Sequence, residues 1–246
     1  MTDFECPMRR QGICFTFRRM GSVSDHPKTG VRECENCGLV THEVSLRNFV
    51  HYETGSMNLR KNLNDKVIKN KHDEMYRRTN SIISHLKIDL NLTNVLDFGC
   101  NDGEFIDYLK SIIPNVFGLE IDVAAREKAI AKCLNVFESI ESIGTSLKFE
   151  VLTLFHVIEH LYEPFELLTS LKSMLTSDGL LIIETPNSMD ALLTYYKSEK
   201  FADFTYWSHH PMLYSIYALS RLLERAGFSI VSCDGVQRYS LDNHLK

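Results

Sequence analysis

The chain has 246 residues, 44% of them hydrophobic and 24% charged, and a formal net charge of −5. That length builds one sizeable core, or one domain with a small appendage, from a composition ordinary for a globular protein. The negative balance gives no global positive field for nucleic acid or an anionic membrane. No apolar run approaches the ~20 residues that cross a bilayer, and no signal-peptide core follows Met1, so the expected location is cytoplasmic.

The seven cysteines are odd in number and accompany no export signal, which argues against a disulfide framework. Cys100, Cys133 and Cys233 lie in apolar segments and read as small buried hydrophobes. Cys6, Cys14, Cys34 and Cys37 all precede residue 40 and need a separate explanation.

Residues 1–45 are rich in Cys, Arg and Gly, with strand-like stretches at 14–17 and 39–44, and form a candidate small module. Residues 46–90 read as a helical connector or lid, with a helix over 66–86 striped by Val67, Met75, Ile82, Ile83 and Leu86. From residue 94 strands and helices alternate, so residues 91–246 form the main domain. Val95–Phe98 is a strand, and Gly103 opens a helix carrying Phe105, Ile106, Leu109 and Ile112. A strand over 116–121 and an alanine-rich helix over 123–133 follow, and Phe149–Phe155 is a buried strand. A helix over 165–175 leads through an Asp178-Gly179 turn into a strand over 180–183, ended by Pro186. A last helix over 216–226 stops at Gly227, a good C-cap, before a strand over 228–233. Strands separated by helices imply βαβ units in a mostly parallel sheet, which binds ligands at the carboxyl ends of its strands.

Asp97-Phe98-Gly99-Cys100-Asn101-Asp102-Gly103 follows the first of these strands. Gly99 and Gly103 allow the positive φ of a tight turn, and Asn101 is among the few other residues that visit that region readily. Glu120 ends the next strand, 23 residues after Asp97, a suitable spacing for a carboxylate that accepts both hydroxyls of a ribose. A plainer role for Glu120 is to cap the helix that starts near Asp122. The glycine spacing is shorter than G-x-G-x-x-G. An acid at Asp97 would repel a pyrophosphate but suits the ammonium of a methionine moiety. The turn therefore fits S-adenosylmethionine better than NAD, with Asp97, Gly99, Cys100, Asn101, Gly103, Glu120, Ile121 and Phe155 as candidate cofactor contacts.

Over roughly 75–235 the sequence resembles the class I S-adenosylmethionine-dependent methyltransferases. The resemblance rests on Phe149–His160, similar to their fourth strand and hxxEH segment, on Leu180–Asn187 with its Thr-Pro-Asn end, and on Ser215–Phe228. It implies a Rossmann-like α/β fold, a seven-stranded mostly parallel sheet flanked by helices, preceded by a small zinc-knuckle-like module. Relatives from capsule, lipopolysaccharide and deoxysugar pathways carry two C-x-x-C pairs in that module. Cys34-Glu35-Asn36-Cys37 is a good second pair, whereas Arg9 stands where the partner of Cys6 belongs. A structural tetrahedral zinc needs four ligands, so Cys6, Cys34 and Cys37 would be joined by Cys14 or His26, or the metal is lost. The ending from Gln237 to Lys246 resembles the start of a segment that continues in relatives, which suggests a truncation.

An alcohol acceptor needs a base for its proton. His156, Glu159 and His160 follow the fourth strand, and His210 lies five residues before Ser215, where relatives carry an acceptor-site histidine. His156 and His160 share a face if that segment is helical, and with Glu159 they suit a divalent metal as well as base catalysis. A plainer role for His160 is to satisfy backbone groups of the next loop. The aromatics between Tyr195 and Tyr214 suit an acceptor-site wall, lid packing or a dimer contact. The resemblance thus implies methyl transfer to a small polar acceptor, a hydroxyl of a sugar or sugar nucleotide, while the charge balance and the lack of a spanning run argue against a nucleic-acid or membrane partner. The competing readings are a non-catalytic assembly module with a vestigial pocket and an NAD-dependent sugar oxidoreductase.

Overall fold

A computed structural model describes residues 17–42, 71–85 and 89–236. Cys6, Arg9, Cys14, Val67, Leu86 and the segment 237–246 lie outside these described residues, as does most of the strand expected over 14–17. The described chain divides into two units: parts of residues 1–50 with 158–172 and 185–246, and parts of residues 51–157 with 173–184.

In the first unit, β1 (Phe17–Val23), β2 (His26–Cys34) and β3 (Val40–His42) form an antiparallel meander. Cys34 and Cys37 flank a tight turn closed by Cys34 N–H to the Leu39 carbonyl and Gly38 N–H to the Cys34 carbonyl, both at 2.8 Å. Gly38 sits at φ 69°, where a side chain would be strained.

The second unit holds the parallel sheet. α1 (Lys71–His85) precedes β4 (Asn94–Phe98), α2 (Glu104–Lys110), β5 (Asn115–Leu119), α3 (Val123–Ala131), β6 (Asn135–Phe137) and β7 (Phe149–Phe155). After α4 (Pro164–Met174) the chain returns as β8 (Leu175–Glu184). The strand order is β6-β5-β4-β7-β8 and every pairing is parallel. The order reverses at β4, whose two neighbours are β5 and β7, so the carboxyl end of β4 is the switch point where such sheets bind ligands. The apolar spacing of α2 buries Phe105, Ile106 and Leu109 against Val95, Val116 and Val151 of the sheet, and Ile82 of α1 joins the same cluster. Each such side chain, fully buried, contributes roughly 1.5–3 kcal/mol.

The first unit continues with two short helices, α5 (Ala191–Thr194) and α6 (Glu199–Thr205), each with an N-cap side chain, Asp190 and Ser198. β9 (Met212–Leu213) then pairs with β3, making a four-stranded sheet of order β1-β2-β3-β9. α7 (Ile216–Arg225) is capped by Ser215, which accepts the Ala218 N–H, and is followed by Gly227 at φ 86°, the left-handed stop its sequence implied.

The sheet differs from the expected seven strands: among the described residues five strands make it. Residues 228–233 form no ladder, and Val231 is 72% exposed. An apolar run becomes a strand only where a neighbour accepts its backbone hydrogen bonds. The expected Asp178-Gly179 turn is instead a register jump inside β8, where Phe149 faces Leu175 and Val151 faces Leu180. Cys100 is buried as expected, whereas Cys133 and Cys233 are exposed, so the apolar surroundings in sequence did not place them in the core.

Candidate functional site

The turn after β4 is built from three left-handed residues, Gly99 at φ 77°, Asn101 at 53° and Gly103 at 77°. The N–H groups of Gly99 and Cys100 both donate to the Leu119 carbonyl, at 2.8 and 3.1 Å, which folds the turn across the end of β5. The glycines are required sterically as well. A Cβ on Gly99 would lie 2.7 Å from Val157 Cγ2, and one on Gly103 would lie 2.5 Å from Leu134 Cδ1. Cys100 packs on Gly118 of β5, where a Cβ would lie 2.5 Å from its Sγ, and burial pushes the Cys100 thiol pKa far upward, so it is an unreactive packing group.

Glu120 follows β5 and is nearly buried. Its Oε2 accepts the Asn101 N–H and its Oε1 the Asp122 N–H, both at 2.8 Å. The plainer capping role falls to Asp122, which accepts the Ala125 N–H at the start of α3. Glu120 thus ties the turn to the end of β5, and each carboxylate oxygen has a further lone pair for a ligand hydroxyl. Ile121, next to it, is 45% exposed and offers an apolar face. Asp97, at the carboxyl end of β4, is buried and accepts the Thr153 hydroxyl at 2.6 Å. Burial pushes its pKa up to about 6, opposed by Thr153 and by the positive charge of Arg78. Phe155 packs edge-on against Phe105, with ring centroids 5.2 Å apart.

His156 does not share a helical face with His160. It stands at φ 58°, in the left-handed region, and a 3-10 turn over Ile158–His160 follows it. Its Nε2 lies 3.3 Å from Oε1 of Glu184, the last residue of β8. Two arginines of α1 meet the same carboxylate: Arg77 Nη2 donates at 2.6 Å and Arg78 Nη2 at 3.1 Å. Arg78 also pairs with Glu74 at 2.6 Å and lies over the Phe155 ring, 4.3 Å from its centroid. Burial raises the Glu184 pKa, but hydrogen bonds from His156, Arg78 and Arg77 outweigh it and hold the carboxyl well below the usual range. Glu184, Arg77 and Arg78 were not among the residues singled out from sequence. The available signal was an acid ending a wholly apolar strand, where the next chemistry-bearing position should be.

In the first unit, ligand atoms of Glu159, His160 and His210 come within 4.8 Å of one another. Glu159 is fully buried and accepts the Thr185 hydroxyl at 2.9 Å. His160 Nδ1 contacts the His209 carbonyl at 2.5 Å and His210 Nδ1 the Thr205 carbonyl at 2.9 Å. A carbonyl only accepts, so in each ring Nδ1 is a hydrogen-bearing nitrogen. His160 does satisfy a backbone group, but it is the His209 carbonyl, 49 residues on, rather than one of the next loop. The aromatic stretch is divided: Tyr206 and Tyr214 are buried, Trp207 stacks on His209 at 4.5 Å, and Tyr195 is 80% exposed.

Cys34 and Cys37 are buried and not joined in a disulfide, while Cys6 and Cys14 lie outside the described residues. His26 does not complete a site with Cys34: the two begin and end β2, about 26 Å apart at ~3.3 Å per residue.

Residues 59–233 match the family model described as a methyltransferase domain. The ubiquinone biosynthesis O-methyltransferase of Glaesserella parasuis serovar 5 (strain SH0165) is 30% identical over 106 residues, covering 38% of this chain and 45% of that protein. The match thus spans less than half the length of that curated relative. Among solved structures, the plantazolicin methyltransferase BpumL, in complex with a pentazolic desmethylPZN analog and SAH, aligns with a TM-score of 0.51 at 18% identity, over 63% of this chain and 64% of that one. The cyclopropane synthase MmaA2 from Mycobacterium tuberculosis aligns with a TM-score of 0.51 at 14% identity, over 64% and 61%. These two likenesses establish the Rossmann-like α/β fold. Among the described residues no helix is long and apolar enough to cross a membrane.

Proposed function

This chain belongs to the methyltransferase-domain family, and on that premise we propose that it moves a methyl group from S-adenosylmethionine to a hydroxyl of a small polar acceptor, a sugar or sugar nucleotide. The observation that carries the reading is Glu120, whose carboxylate holds the Asn101 and Asp122 N–H groups beside a turn of three left-handed residues. This donor set suits the cofactor: two carboxylate oxygens with spare lone pairs for two ribose hydroxyls, an exposed Ile121 for the base, and Asp97 for the ammonium group. When bound, S-adenosylmethionine supplies an electrophilic methyl group on a positively charged sulfur. The chain's contribution is to position the acceptor, exclude water and remove the acceptor's proton, and His156 is the residue assigned to that last step.

Isothermal titration tests the reading. S-adenosylhomocysteine should bind and NAD should not; binding of NAD alone supports the oxidoreductase, and binding of neither supports an assembly module. Mass spectrometry of sugar-nucleotide pools incubated with the chain and cofactor then identifies the acceptor by its added methyl group.

A second reading concerns Glu159, His160 and His210. A buried carboxylate and two imidazoles with ligand atoms within 4.8 Å of one another, each ring held through Nδ1 by a backbone carbonyl, are a donor set for a divalent cation. Titration of the chelator-treated Cys34→Ser chain with Mn2+ finds one site, which His210→Ala removes; no binding refutes it. In the N-terminal module we propose a structural zinc on Cys34 and Cys37, with Cys6 and Cys14 as the remaining ligands.

A further inference from the structure

We infer that Asp25, at the tip of the β1–β2 hairpin, is a positioning residue for His160 and His210, which makes the small N-terminal sheet part of their site rather than an appendage to it. The inference deepens the divalent-cation reading above and rests on it for its function. Every residue it uses lies within one unit of the chain.

Both imidazoles are oriented by one short segment. His210 Nδ1 donates to the Thr205 carbonyl at 2.9 Å, and His160 Nδ1 donates to the His209 carbonyl. Between these, the Trp207 carbonyl accepts the His210 N–H at 2.9 Å. Carbonyls of residues 205–209 thus decide where the two rings lie, and the ring centroids come 4.9 Å apart. A metal-binding imidazole is aimed by the group to which its other nitrogen donates. Here that aim is only as firm as the segment itself. After α6 ends at Thr205, the chain joins no helix or strand until β9 begins at Met212. Without a ladder, such a stretch is placed by the partners its backbone groups find elsewhere.

The hairpin supplies those partners. The Ser24 N–H donates to the Tyr206 carbonyl at 2.7 Å. Asp25 grips Ser208 with both oxygens: Oδ1 accepts its N–H at 2.8 Å and Oδ2 its hydroxyl at 2.6 Å. Ser208 is buried and lies between the residues whose carbonyls hold the rings. Burial raises the Asp25 pKa, but the bonds from Ser208 outweigh it and keep the carboxylate ionised. The two bonds are therefore charge-assisted, and a two-pronged grip fixes direction as well as distance. An aspartate in a turn commonly serves its own backbone. Asp25 reaches a residue 183 positions away, next to the two histidines His209 and His210.

The test is nitrogen NMR of the full chain carrying 15N-histidine, with His160 and His210 assigned by the signals lost in His160→Gln and His210→Gln. The wild-type chain is expected to carry hydrogen on Nδ1 of both rings; a bare Nδ1 on either overturns the proposal. In Asp25→Ala both sets of signals should move away from that form as the segment is released. Asp25→Asn keeps an oxygen for the Ser208 N–H and an amide for its hydroxyl, so its signals should stay close to wild type. Val31→Ala removes buried apolar volume from the same sheet without touching the grip, and should leave them in place. If Asp25→Ala does not fold, Ser208→Ala, which gives up only the hydroxyl bond, should show a smaller shift in the same direction. Unmoved signals in the folded variant overturn the proposal, and so does a Val31→Ala chain in which they move as far. Mn2+ titrated into the chelator-treated Cys34→Ser chain, with and without Asp25→Ala, separates the two levels. Loss of Asp25 should weaken binding about 10-fold, the low end of what removing a residue behind the ligands costs. No binding even with Asp25 present defeats the cation reading, whereas binding that Asp25→Ala leaves unchanged defeats only the role of Asp25.

Discussion

Replacing Glu120 by Gln changes one oxygen to an amide NH2 and leaves size and shape almost untouched. In the native chain each oxygen accepts one backbone N–H at 2.8 Å, from Asn101 and from Asp122. Gln retains an acceptor for only one of them, and the other N–H meets a donor in a nearly buried position. An unsatisfied buried donor costs about 1–3 kcal/mol, and weakening the surviving bond from charge-assisted to neutral costs about 1 kcal/mol more. A ribose hydroxyl loses its carboxylate acceptor at the same place. Part of the cost is borne by the free chain, so we expect about 1.5–3 kcal/mol to appear in ligand affinity, a weakening of roughly 10- to 150-fold. Calorimetric titration with S-adenosylhomocysteine measures this directly, and a melting curve of the ligand-free chain reports the remainder. Affinity within threefold of wild type, together with an unchanged melting curve, would refute the argument that Glu120 both ties the turn and grips the nucleoside.

Three further outcomes are expected. Gly103→Ala forces a side chain into the left-handed region, at about 1–2 kcal/mol, and into Leu134 and Ala129, at about 1–3 kcal/mol, offset by about 0.4–1 kcal/mol from the less flexible unfolded chain. The net loss of about 2–4 kcal/mol lowers the melting temperature by roughly 5–15 °C; an unchanged value contradicts it. Asp97 has a folded-state pKa of about 6, above its ordinary 3.8, so the folded chain holds that proton more tightly and this group's contribution to stability falls as pH rises from about 4 to about 6. Asp97→Asn keeps an acceptor for Thr153 and removes that dependence; denaturant titrations should show wild type losing on the order of 2–3 kcal/mol relative to the variant across that window. Atomic emission should find one zinc in the wild-type chain and none in Cys34→Ser or Cys37→Ser; a metal-free wild type ends the zinc proposal.

Local chemistry made much of the fold readable. β7 and the end of α7 fall where the apolar run and Gly227 put them, because a run of large apolar residues and a C-cap are properties of a few neighbouring residues. The candidate cofactor turn was equally visible, since positive φ at Gly99, Asn101 and Gly103 is a demand that few residue types meet. The short strand β6 escaped notice because three residues carry almost no periodicity.

What sequence order alone determined is therefore the alternation of strands and helices, the glycine-bearing turn and the acid that ends β5. The tertiary structure decided the rest. It paired β3 with β9 across some 170 residues of chain, and it left residues 228–233 without a strand partner. It also gave His156 a left-handed backbone and an acid from β8 as its neighbour, and within the other unit it brought Glu159 and His160 together with His210. The reason is physical: caps, turns and periodicity are set by neighbours in sequence, whereas a side chain's charge partner is set by which strands lie side by side, and that is fixed only when the whole sheet is assembled.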